Sequence, residues 1–322
     1  MAELADARDS KSRGGNTMRV RPSLAAQNTD KNLPVFICTY YIKQGGGAMI
    51  GATELRISSS KKRHGDMSLT DFENTGFRIN DSVLGRALRR IGSSPSIHWQ
   101  AITNRLAFLK ACRINPRRIF CPTLGSTDKI VFIGQSNKNR FKESGLYLKS
   151  RFECDAVITD VPGLAIMFLP ADCPVVILFD QRKGILAQVH SGRGNILKNI
   201  AGKTARMLKE DFFCNPADII VSFSAHLCAR CHILSYLSFL DMPEYEKIEP
   251  AIVEVENGWQ FDMRKAIEIQ LDLEGIDRII SDPSACTLCG EEDLFSHRGW
   301  ERLHPDHREP GRFAVISMMV KL

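Results

Sequence analysis

A thiol and an imidazole, Cys173 and His190, offer the most direct chemistry in this sequence. They flank two β-rich runs, residues 174–180 and 184–189, joined by Gln181-Arg182-Lys183 and Gly184, the local pattern of a β-hairpin. In an antiparallel pairing about that turn, facing residue numbers sum to about 364, which sets Cys173 within a residue or two of His190. Such a pair can ligate a metal or act as nucleophile and base. Taken alone, it reads more readily as a buried thiol beside a hydrogen-bonded imidazole.

Ser191-Gly192-Arg193-Gly194-Asn195 follows at once, and then Ile196, Leu197, Ile200, Met207 and Leu208 recur at helical spacing. Asn195 is the expected N-cap. The glycines let backbone N–H groups point outward, so Gly192, Arg193 and Asn195 form a candidate anion site.

A second constellation lies further on. Cys228-Ala229-Arg230-Cys231-His232 spells a c-type haem attachment motif, but no export signal accompanies it. Cys228 and Cys231 together with Cys286 and Cys289 make two CxxC arms, as in a structural zinc site. The gap between the arms far exceeds that of a zinc ribbon, and separate buried thiols are the expectation. His226, His232 and His297 read as hydrogen-bonded loop histidines that become ligands only where their loops turn toward Cys173.

The elements that position these residues alternate hairpins with helices. Residues 1–33 are polar and aperiodic, an expected disordered extension, and 34–322 read as one domain. Strand character is expected at 35–41, helices at 81–91 and 103–112, and a strand–loop–strand unit at 118–135. A second hairpin is expected from 154–159 and 164–169 about Asp160-Val161-Pro162-Gly163. Later come a strand at 218–223, a helix at 262–273, strand-like stretches at 276–280 and 284–288, and a last strand at 313–318. This is not the βαβ rhythm of a doubly wound sheet, and the expected class is α+β with mixed sheets.

A chain of 322 residues can bury a full core, and its net charge of +6 is mild and dispersed, so nucleic acid is not an indicated partner. No apolar run reaches membrane-spanning length and no signal-peptide core opens the chain, which makes the cytoplasm the expected location. Ten cysteines there should be reduced, buried or metal-bound.

The order DAVITDVPGLAIMFLPADCPVVILFD, GILAQVHSG and a helix, FDMRKAIEIQL, CT, FSHR and GRFAVI resembles the bacterial laccase-domain, or polyphenol oxidase, family. That family is also described as purine nucleoside phosphorylase and as peptidoglycan editing factor. The likeness runs over residues 35–322. It implies a four-layer α/β/β/α fold with mixed sheets, of the CNF1/YfiH-like kind, and a zinc held by a His, a Cys and a second His with one position open. Cys173 matches the Cys of the family's ADC block and His190 the His that opens HAGWRG, while the first His, from a segment like QVHGDRV, aligns with Ser126. Arg298 matches the arginine of FFSYRR and by resemblance faces an oxyanion or phosphate, and Gly311-Arg312 match the closing GR. Cys231 and Cys286 fall where relatives often carry buried Cys.

The activity so implied is zinc-dependent phosphorolysis of adenosine, inosine or methylthioadenosine, with adenosine deamination as a second use of the site. The partners are a small nucleoside and phosphate. Two alternatives stay open: a hydrolase that edits cell-wall precursors, with a metal-free Cys173/His190 dyad as another use of the same atoms, and a catalytically impaired relative with a degraded metal site, for which Ser126 speaks. Copper oxidation lacks the multiple His pairs it needs.

Overall fold

The computed structural model describes residues 19–23, 39–43, 53–59, 99–141, 144–147, 150–280, 286–290, 294–303 and 311–321. The helix expected at 81–91 lies outside them. Within the expected N-terminal extension, Arg19–Ser23 (β1) pairs antiparallel with Thr39–Lys43 (β2). No helix of the described residues is long and apolar enough to cross a membrane.

From Thr53–Ser59 (β3) the chain enters the main body through helix α1, Trp99–Ala111, then Ile119–Phe120 (β4) and Ile130–Ile133 (β5). Ala156–Thr159 (β6), Ala165–Phe168 (β7), Val175–Asp180 (β8) and Ile185–His190 (β9) follow in quick succession. After the one-turn helix α2, Arg193–Ile196, come α3, Ile200–Glu210, and β10, Ile219–Phe223. A small sheet is then built from Ile233–Leu234 (β11), Ile252–Val255 (β12) and Gly258–Phe261 (β13), with the short helix α4, Tyr245–Ile248, between β11 and β12. Helix α5, Met263–Asp272, capped by Asp262, then α6, His297–Leu303, and β14, Val315–Lys321, complete the chain.

Two mixed sheets carry the core. One is ordered β10-β8-β9-β6-β5 and the other β3-β14-β7-β4, with β5/β6 and β4/β7 parallel and the remaining pairs antiparallel. Side chains alternate between faces along each strand, and the alternation sorts them into layers. On β8, Val176 and Leu178 pack with Ile200, Ala205 and Leu208 of α3 and Ala266, Ile267 and Leu271 of α5. Val175, Ile177 and Phe179 point the other way and meet Ile166 and Phe168 of β7 and Val315 and Met319 of β14. The outer face of that second sheet, Ala165, Met167, Ile316 and Met318, is covered by Phe108 and Leu109 of α1. The result is the expected α/β/β/α stack in one domain.

The β8–β9 hairpin forms with Val175 opposite His190. Its turn is closed by the Asp180 carboxylate, which accepts from the Lys183 N–H at 2.9 Å, and by Gly184 at a φ of 64°. The second expected hairpin does not form. β6 and β7 lie in different sheets, so the turn between them is an arch across the sandwich, with Gly163 at a φ of 75° and its N–H bonded to the Met319 carbonyl at 2.7 Å. Every residue of both strands is buried, so no polar alternation told a hairpin from an arch. Around 276–280 and 286 the structure has isolated bridges, Val221 to Ile279 and His226 to Cys286, rather than strands.

One polar pair crosses the sheet-to-sheet core: Gln188 of β9 donates to the Val315 carbonyl at 3.3 Å and accepts from the Ser317 hydroxyl. Both residues are fully buried, so each depends on the other to replace water. Ser317→Ala should therefore cost about 1–3 kcal/mol by leaving the Gln188 oxygen bare, while Gln188→Met together with Ser317→Ala should recover most of it. Urea unfolding of the single and double variants measures the difference.

Candidate functional site

Asp155, one residue before β6, is completely buried and gathers the site around its carboxylate. One oxygen accepts from the Gly125 N–H at 3.0 Å and lies 2.8 Å from His190 Nδ1, and the other accepts from the Thr127 N–H at 2.9 Å and the Thr127 hydroxyl at 2.6 Å. Burial pushes the carboxyl upward, but the bonds from His190 and Thr127 outweigh it and hold the acid below the usual carboxylate range. Burial likewise opposes charge on His190, yet its bonds to Asp155 and to the Cys173 thiol lift the imidazole to about 9. With Nδ1 held by Asp155, Nε2 is the nitrogen that meets Cys173.

Cys173 sits two residues before the register partner of His190, and the chain around it is tight. A Cβ on Gly192 would fall 2.8 Å from the Cys173 sulfur, so glycine is what admits the thiol. Asn195 is not the N-cap of the long helix: Gly192 caps α2, and Asn199 caps α3 through the Gly202 N–H. The Asn195 side chain instead donates to the Thr127 carbonyl at 2.8 Å and the Gly125 carbonyl at 3.4 Å, and the Asn195 and Ile196 N–H groups both point back at the Gly192 carbonyl. The turn read as a phosphate cradle is thus largely occupied in fastening the 125–127 loop. Ser126 of that loop packs against α2, where a Cβ on Gly194 would lie 3.1 Å from its hydroxyl.

These residues share one cavity of about 630 Å³, lined by Ser126, Cys173, His190, Gly192, Arg193, Asn195, His232, Arg298 and Arg312 among others. Arg298, in the first turn of α6, is fastened by its N–H to the Asp172 carboxylate at 2.7 Å. His232 bonds the Phe261 carbonyl through Nδ1, and its ring is pulled down to about 4 by burial and by the nearby Arg298 and Arg193 charges. It is therefore neutral at pH 7, in contrast to His190. His226 bonds the Ser224 carbonyl outside the cavity lining, and His297 lines the cavity while pairing with Glu301. Neither Asp155 nor Asp172 stands out in the sequence, because their partners come from distant segments. The signal for Asp155 was a lone acid entering an otherwise apolar strand.

The zinc expected on Cys173 and His190 finds two strong donors and the Ser126 hydroxyl, which is a poor one. Among the described residues no His, Cys, Asp or Glu completes a set of three there, and the donors do not fit a zinc centre. The four cysteines expected to lie apart behave differently. The sulfurs of Cys228, Cys231, Cys286 and Cys289 all lie within 4.8 Å of one another, because the backbone bridge from His226 to Cys286 brings the two arms together whatever their separation in sequence.

Comparison with known proteins places this architecture. Residues 100–320 match the family model described as multi-copper polyphenol oxidoreductase laccase. A purine nucleoside phosphorylase of Streptomyces coelicolor is 31% identical over 153 residues, 45% of this chain and 58% of the relative, so the match spans little more than half of that protein. A purine nucleoside phosphorylase of Clostridium acetobutylicum is 30% identical over 174 residues, 54% of this chain and 69% of the relative. Among solved structures, YlmD from Geobacillus stearothermophilus superposes with a TM-score of 0.62 at 16% identity, over 87% of this chain and 96% of its own. The hypothetical protein YfiH of Bacillus licheniformis gives 0.61 at 19%, over 82% and 92%. At such identities these two speak to fold alone.

The His190–Asp155 bond makes a prediction with a definite sign. His190 binds its proton more tightly folded than unfolded, so its contribution to stability is complete below about 6.5 and is lost as pH rises through about 9. Proton NMR should place its titration near 9 in the wild type. In Asp155→Asn burial should prevail and carry it below 6.5.

Proposed function

The chain belongs to the multi-copper polyphenol oxidoreductase laccase family, and on that premise we propose that it cleaves purine nucleosides with phosphate in the cavity shared by His190, Cys173 and Arg298. The observation that carries this reading is a buried imidazole held by a carboxylate 2.8 Å from its Nδ1, lining the same cavity as Arg193, Arg298 and Arg312. A volume of about 630 Å³ is in the range of small-molecule sites.

In this reading phosphate is bound by the arginines, which match its oxygens in charge and geometry. A phosphate oxygen bonds to C1′ of the ribose as the C1′–N9 bond breaks, and the departing electron pair stays on the purine. Protonation of the purine by His190 removes the developing negative charge. Asp155 fixes the ring by its Nδ1 bond and keeps Nε2 directed into the cavity, while the Cys173 sulfur occupies Nε2 until substrate displaces it. The products are a free purine and ribose 1-phosphate. Zinc has no part in this reaction, and adenosine deamination, which needs a metal-activated water, finds no third strong donor beside Cys173 and His190 among the described residues.

A second reading has its own support: the hydrogen-bonded order Asp155–His190–Cys173 is that of a thiol hydrolase. There the Cys173 thiolate attacks an amide carbonyl, His190 protonates the leaving amine, and water hydrolyses the thioester. In that second reading the substrate would be an amide of a cell-wall precursor.

Purified protein given adenosine, inosine or methylthioadenosine should release purine base only when phosphate is present. Arg298→Ala should raise the phosphate KM about tenfold or more. The rate should fall as pH climbs through about 9, because the acid is the protonated form of His190. Turnover of a muropeptide precursor instead, abolished by Cys173→Ala, selects the second reading, and inertness toward both substrates overturns each.

A further inference from the structure

We propose that Cys228, Cys231, Cys286 and Cys289 bind one structural zinc ion, which braces residues lining the cavity and uses none of the Cys173/His190 donors. A tetrahedral zinc with four thiolates at roughly 2.3 Å sets its sulfurs roughly 3.8 Å apart. Here all four sulfurs fall within 4.8 Å of one another, and Cys228 and Cys289 are 3.7 Å apart. An all-sulfur set selects zinc or iron over magnesium, calcium or manganese, and four protein donors leave no open position for catalysis.

The backbone around the sulfurs is already arranged for thiolates. Cys286 Sγ accepts from the Cys228 N–H at 3.4 Å, the Leu288 N–H at 3.4 Å and the Cys289 N–H at 3.5 Å. Three such donors offset the negative charge that a tetrathiolate site accumulates, the task of outer hydrogen bonds in metal centres. Gly290 follows the second arm because a Cβ there would lie 2.3 Å from the Cys286 carbonyl, whose oxygen accepts the Gly290 N–H at 3.1 Å. The first arm closes in the same way, with a 3-10 turn at Ala229–Cys231 and the His232 N–H on the Cys228 carbonyl at 3.0 Å. His232, the fifth residue of the haem-like motif, is turned away to the Phe261 carbonyl and stays out of the set.

The clamp acts on the cavity through its immediate neighbours. Leu227, His232, Ile233 and Leu234, on either side of the first arm, line the wall. In the second arm the Thr287 hydroxyl donates to the Asp172 carboxylate at 2.5 Å, and the other oxygen of Asp172 holds the Arg298 N–H at 2.7 Å. Metal at the four sulfurs thus fixes His232 from one arm and Arg298 from the other.

The full-length chain, purified without chelator under reducing conditions, should carry one zinc per chain by elemental mass spectrometry. That zinc should remain in Cys173→Ala and be lost in Cys289→Ser, and its removal by chelator should lower the melting temperature of the wild type. Should Cys289→Ser not fold, cobalt(II) in place of zinc in the wild-type chain reads the same question, since four thiolates give intense sulfur-to-cobalt charge-transfer and tetrahedral visible bands. Zinc lost from Cys173→Ala but kept by Cys289→Ser, a metal-free chain with a Cys228–Cys289 disulfide, or a metal-free chain with four titratable thiols would each overturn the assignment.

Discussion

A carboxylate buried without water must be answered by donors, and the arrangement of the cavity follows from how Asp155 is answered. Two backbone N–H groups, one hydroxyl and one imidazole converge on its two oxygens. The first three fix the 125–127 loop, and with it Ser126, on the cavity wall. The fourth makes His190 a cation in a place where burial alone would make it neutral. Breaking any one partner would leave a buried charge undersatisfied, a cost of several kcal/mol, so loop position and histidine charge are coupled through one residue.

Much of the hairpin was legible in the sequence because its turn is chemically marked. Asp180, Lys183 and Gly184 close the turn locally, and a closed turn fixes the register out to His190. The arch from β6 to β7 was not legible, since strands buried on both faces lose the polar alternation that says which sheet they join. The Asn195 side chain was misread for a related reason. An asparagine before a helical run is a cap by local rules, and only the fold puts the Thr127 carbonyl within its reach.

The thiol cluster shows the same limit from the other side. Each CxxC arm is a local turn that the sequence spells plainly, but whether two arms meet is a question of long-range pairing. The bridge between His226 and Cys286 joins segments sixty residues apart, and the Thr287 N–H to His226 carbonyl bond at 3.1 Å belongs to it. Spacing rules drawn from compact zinc ribbons do not reach such a case, because loop-closure entropy grows only slowly with length and a folded domain has already met that cost. The glycine after Cys289 marks only that the second arm closes back on its own Cys286 carbonyl, which says nothing of the first arm.

These two regions meet at Asp172. Its φ of 139° is one that side-chain-bearing residues rarely adopt, and it comes immediately before Cys173. Such a conformation costs about 1–3 kcal/mol and persists only where surrounding contacts over-determine it. Here they come from three separate stretches: the Leu227 N–H on its carbonyl at 2.8 Å, and Thr287 and the Arg298 N–H on its carboxylate. Burial holds this acid above the usual carboxylate range, although the bonds from Thr287 and Arg298 pull it down. The strand register alone therefore does not place the Cys173 thiol. It departs from the ladder at a strained turn held by residues beside the thiol cluster and at the start of α6, so the distance from Cys173 to His190 depends on segments more than fifty residues away in the chain.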